Sequence, residues 1–139
     1  MKAVTRFVLA LVLAAGLGCA QKDWIDRTLV TESVTGVWEG SMATSSGQPS
    51  FHQEIRLELE QKGPNVKGLF LGYGGAGPHG TMPIEGSMAG DQCRFRNSRG
   101  TLTGELTVGG DEMTGQGMAY TNRAVTYSLR RINSVVPPR

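Results

Sequence analysis

The sequence predicts an all-β protein: an eight-stranded antiparallel up-and-down barrel, preceded by an N-terminal signal peptide and a short tether. Three observations predict it. From Gly36 onward apolar and polar residues alternate with period two, the spacing of a strand with one dry and one wet face. The alternation is broken every 6 to 12 residues by Gly, Pro, Asn or Asp, as in an antiparallel all-β chain. The number of strands is even and the loops are short, which brings first and last strand together antiparallel, so both sheet edges pair. A length of 139 residues, 39% hydrophobic and 19% charged, suits one domain with short extensions.

The first element is an address. Lys2 and Arg6 precede an apolar run over residues 7–17. That run is too short to cross a hydrocarbon core of about 30 Å as a helix, and it has the layout of an export signal. Ala15-Gly16-Leu17-Gly18-Cys19 resembles the bacterial lipoprotein lipobox, in which small residues precede a cysteine that is lipidated and becomes residue one. Gly16 stands where that pattern favours Leu. Ordinary signal peptidase cleavage after Gly18-Cys19-Ala20 is the alternative. Residues 1–18 are thus read as a lipoprotein signal peptide, 19–35 as a tether and docking segment, 36–132 as the barrel and 133–139 as a tail. The expected location is the bacterial cell envelope, at the periplasmic face of the outer membrane, with the membrane engaged through lipid on Cys19.

Charge excludes one class of function. The chain has 14 basic and 12 acidic residues, and removal of Lys2 and Arg6 leaves 12 of each. No basic excess remains to hold a nucleic acid. With Cys19 committed to lipid, Cys93 has no disulfide partner; in Gln92-Cys93-Arg94-Phe95 it shares the apolar face with Phe95 and reads as a buried thiol. In the tether, Ile25 and Leu29 are four apart, so that one helical turn would lay Trp24, Ile25 and Leu29 on the domain. An extended strand is the alternative.

The eight predicted strands cover residues 37–42, 51–61, 66–73, 82–89, 92–97, 101–108, 112–120 and 124–132. The second is the clearest, with Phe51, Ile55, Leu57 and Leu59 on one face and His52, Glu54, Arg56, Glu58 and Glu60 on the other. An apolar-x-Gly pattern recurs at Gly40, Gly68, Gly86, Gly104 and Gly115, with Gly68, Gly86 and Gly104 spaced 18 apart. Such glycines mark sharp bends or close approaches in a curling sheet. A two-residue loop at Gly90-Asp91 sets Met88 opposite Cys93, Gly86 opposite Phe95 and Glu85 opposite Arg96. Phe95 is then placed to cover Gly86. A loop at residues 62–65 likewise sets Leu57 opposite Phe70, Leu59 opposite Gly68 and Glu60 opposite Lys67.

Gly36-Val37-Trp38 at the start of the first strand resembles the Gly-x-Trp signature of lipocalins and the wider calycin group. The resemblance implies a calycin-like barrel in which an Arg near the end of the last strand packs across the first-strand Trp. Parity along Val125, Tyr127 and Leu129 brings Arg131 inward, so Trp38 and Arg131 are the expected structural pair. The stretch 23–40 also resembles the opening of small uncharacterised bacterial exported lipoproteins.

No catalytic, metal or cofactor motif is present. His52 lies on a wet face and His79 in the loop Gly77-Pro78-His79-Gly80, neither with a second ligand at metal spacing. The glycine-rich run 72–77 has no following Lys-Ser or Lys-Thr and reads as a flexible loop rather than a phosphate cradle. Glu54, Glu58 and Glu60 read as a solvated surface. The inner face is uncharged and, with its glycines, either encloses an apolar cavity or packs solid. Met42, Phe70, Met88, Phe95 and Tyr127 are the candidate lining residues for a small apolar ligand. A structural or protein-interaction module with a solid core is the alternative, meeting its partner through the glycine-rich loop or the outward row Leu69, Leu71 and Tyr73, a row that needs cover from the Trp24 to Val30 segment or from another protein.

Overall fold

A computed structural model of the chain describes residues 32–45, 52–74, 77–119 and 122–138, with the side chains of residues 73–79 outside that description. The alternating segments form β1 (Gly36–Thr44), β2 (His52–Lys62), β3 (Asn65–Gly74), β4 (Gly77–Ala89), β5 (Gln92–Asn97), β6 (Thr103–Gly109), β7 (Glu112–Ala119) and β8 (Arg123–Asn133). Each strand pairs antiparallel with the next, and β8 returns to β1 to close an eight-stranded up-and-down barrel.

The expected pairings are present: Glu85 faces Arg96, Gly86 faces Phe95 and Met88 faces Cys93, while Leu57 faces Phe70, Leu59 faces Gly68 and Glu60 faces Lys67. Turn chemistry fixes them. Gly63, Gly90 and Gly110, at three of the hairpin turns, have φ of 58°, 61° and 63°, a left-handed conformation that costs glycine little. Each of these turns is also bonded onward. The Pro64, Asp91 and Asp111 carbonyls accept from the amides of Met88, Val108 and Arg131 respectively. One end of the barrel is therefore a floor of tight, mutually bonded turns.

Two strands begin two or more residues from the expected place. β4 begins at Gly77 rather than residue 82, because the glycine-rich run continues the hairpin: Gly72 pairs Gly80, Tyr73 pairs Pro78 and Gly74 pairs Gly77, with a register irregularity between Gly72 and Tyr73. The run expected to be a loop is thus largely strand. β6 begins at Thr103 rather than residue 101, because Asn97 captures the chain ahead of it. Its Oδ1 accepts from the amides of Thr101 and Leu102, and its Nδ2 donates to Thr101 Oγ1 at 2.9 Å.

Inside lies one apolar cluster that runs from Val34 and Trp38 through Leu57, Phe70 and Leu106 to Leu129. Val34 sits in the stretch that sequence assigned to the tether, yet it is fully buried in this cluster. Gln53 and Asn97 are buried polar residues within the barrel, and period-two reading passed over both.

Candidate functional site

The five residues expected to line a ligand pocket are all buried in the barrel interior, spread along its length. Met42, Phe70, Met88, Phe95 and Tyr127 belong to the single buried cluster, each at most 3% exposed. The Phe95 and Tyr127 rings meet edge to face, 5.8 Å between centroids at 69°, and the Tyr127 hydroxyl donates to the Thr103 carbonyl at 2.9 Å. This satisfies the polar end of a ring whose body is buried.

The inward glycines decide what space these residues enclose. A methyl group on Gly40 would stand 1.9 Å from the Ser128 carbonyl oxygen, and on Gly68, 2.0 Å from that of Glu58. The corresponding contacts are 1.8 Å from Gly86 to Arg94, 2.0 Å from Gly115 to Glu105 and 2.0 Å from Gly117 to Thr103. Neighbouring backbone already fills the places where these side chains would be. The glycines therefore do not vacate the lumen, as the count of missing side chains suggests; they let adjacent strands close in. Phe95, expected over Gly86, instead lays its ring on Gly104 on the other flank of β5, where a Cβ would meet ring carbon at 2.4 Å.

Trp38 and Arg131 meet across the β1–β8 seam, where they are cross-strand partners. The Arg131 guanidinium carbon lies 4.4 Å from the Trp38 ring centroid, a cation on an aromatic face. Arg131 also gathers backbone from three places. Nη1 donates to the Thr35 carbonyl at 3.0 Å, while Nη2 donates to those of Ser33 and Gly110. Asp111 lies 3.4 Å from Nε, in an ion pair without hydrogen-bond geometry. The Trp38 indole N–H donates to the Val34 carbonyl at 2.9 Å, and the Val34 amide to Gln61 Oε1. Residues 33–35 are clamped across the floor. The signal was legible, because inward parity runs back from Trp38 through Gly36 to Val34.

The outer face is charged in register. Cross-strand neighbours run Arg56, Glu39, Arg130, Glu112 around one side and Glu60, Lys67, Glu85, Arg96 around another, signs alternating. Leu69, half-buried in the outer row, shares an external groove with Pro83 and residues 134–138 of the tail. The tail thus stands beside the apolar row for which sequence proposed the Trp24 to Val30 segment or a partner. That segment, Cys19 and the Tyr73 and His79 side chains lie outside the described residues.

His52 is exposed on the outer face. Among the described residues no group of three or more His, Cys, Asp or Glu side chains is gathered to hold a metal ion. Cys93 is fully buried and free, and burial pushes its thiol up to about 12. It is held in the unreactive protonated form.

Fold and interior together define a class: a small closed up-and-down β-barrel with an apolar, glycine-cornered core, an arrangement consistent with a calycin-like fold. Comparison with protein-family models, with curated proteins and with solved structures returns no match to this chain.

Proposed function

We propose that the chain is a non-enzymatic lipoprotein of the bacterial cell envelope, a lipocalin-like barrel that fills its own core and works through its outer surface. Export and lipidation at Cys19 rest on the N-terminal sequence, and the likeness to lipocalins on Gly36-Val37-Trp38 with Arg131. The observation that carries the self-filled core is the set of five inward glycines whose Cβ positions are taken by neighbouring carbonyl oxygens. A lumen that spends its glycines on close strand approach has little volume left to hold a guest.

Binding of a small apolar ligand among Met42, Phe70, Met88, Phe95 and Tyr127 is the second reading. It is favoured by Met42, Met88 and Met113 lying in one cluster, since methionine side chains repack around irregular shapes. Organic extraction of protein purified from its native host, followed by mass spectrometry, separates the two. A solid core yields no stoichiometric ligand; a recovered apolar molecule at one per chain overturns it. Mass spectrometry of the mature N-terminus tests the anchor, with a diacylated Cys19 expected and an unmodified Gln21 start against it.

A further inference from the structure

The clamp on residues 33–35 fixes where the tether leaves the barrel, and hence which end an anchored molecule turns toward its membrane. Going backward from β1, Thr35 and Ser33 are held by Arg131, whose Nη2 also reaches Gly110 in the β6–β7 turn. Val34 is buried between them, and Gln61 takes its amide. The chain therefore joins the barrel on the floor of tight turns that contains Gly63, Gly90 and Gly110. The opposite rim holds the β5–β6 loop at Ser98 to Thr101 and the start of β8 at Arg123. Only about a dozen residues separate Cys19 from Ser33, a reach of at most about 45 Å when fully extended. We infer that, in the anchored protein, the tight-turn floor faces the bilayer and the rim of β5–β6 and β7–β8 connections faces away from it.

The inference rests on the lipoprotein reading, and the test keeps the two apart. A chain from Cys19 to Arg139 is coupled through the Cys19 thiol to a maleimide lipid in phosphatidylcholine vesicles containing a headgroup quencher. The buried Cys93 does not compete for the maleimide. A fluorophore is attached through an azide-bearing amino acid in place of Asp91, on the floor, or of Arg99, on the rim. The floor label is expected to be quenched at least twofold more than the rim label. Equal quenching, or stronger quenching at the rim, overturns the orientation. The mature N-terminus of the native protein is read separately: an unmodified Gln21 start sinks the anchor and leaves the result on orientation standing.

Discussion

At the scale of single residues, Arg131 does the work of several. Its guanidinium stacks on Trp38 and donates to three backbone carbonyls that belong to the lead-in and to the β6–β7 turn. Lysine keeps the charge but loses the planar fork that reaches three carbonyls at once. Arg131→Lys is therefore expected to lower unfolding stability by about 1–3 kcal/mol, measured by urea denaturation. Trp38→Phe, which loses the indole donor to Val34, is expected to lose a comparable amount. Cys93 offers a second test. Its buried thiol titrates near 12 in the fold and near 9 when unfolded, so the two states hold the same proton below pH 9. Between those values the unfolded chain has released its proton and the folded one has not. Stability contributed by this site is therefore complete below pH 9 and falls by about 1.4 kcal/mol per pH unit as pH rises toward 12. Comparing the chain with Cys93→Ala isolates the effect, since other groups titrate in both; a parallel decline in the two proteins excludes it. Native Cys93 is expected to react with a maleimide only at the rate of unfolding, which a thiol assay with and without urea reads directly.

At the scale of elements, glycine sets the corners. The carbonyls that crowd Gly40, Gly68, Gly86 and Gly115 come from β8, β2, β5 and β6 respectively, so close approach falls at every second strand interface around the barrel. Gly86→Ala would place a methyl on the Arg94 carbonyl and is expected to cost about 2–3 kcal/mol, as overpacking against backbone does. Gly109→Ala is the control. Nothing lies within 4 Å of its would-be Cβ and its φ is not left-handed, so thermal unfolding is expected to be unchanged or slightly improved. The sequence shows only part of this spacing: Gly68 and Gly86 are 18 apart, but Gly104, the third glycine at that interval, meets the Phe95 ring instead of a carbonyl; the strand registers followed from two short turns. What the glycines were for was not visible. Parity places a glycine on the inner face but does not say whether a void or a neighbouring strand stands beside it, which depends on how tightly the sheet coils. The same limit hid Phe95 on Gly104, because β5 has two neighbours and one turn reveals only one of them. The outer charges act at this scale too. Every cross-strand pair of charged residues is of opposite sign among the described strands, so a one-residue slip forfeits these matches as well as inverting the apolar face.

At the scale of the whole molecule, closure is the one event that is not local. β1 through β8 pair in sequence order across hairpin connections, whereas the β1–β8 seam joins residues such as Gly40 and Leu129 from opposite ends of the domain. Hairpins cost little chain entropy to form, but the seam requires the ends of the chain to meet before any of its contacts reward them. The clamp belongs to this late step. Arg131, on β8, reaches Trp38 and the Thr35 and Ser33 carbonyls of the lead-in only when the barrel is shut, because no hairpin contains both sides of those contacts. A residue whose native contacts are absent from the transition state changes unfolding rate and leaves folding rate nearly alone. Arg131→Lys is therefore expected to hasten loss of the native state, raising the unfolding rate by roughly 5- to 160-fold for a 1–3 kcal/mol destabilisation, while the refolding rate stays within about twofold. Leu57→Ala, which loosens the β2–β3 hairpin core opposite Phe70, is expected to slow refolding as well. Stopped-flow chevrons of the two variants against the parent check this. Slowed refolding in Arg131→Lys without a change in unfolding would mean that the ends meet first, with the hairpins assembling onto a seam already made.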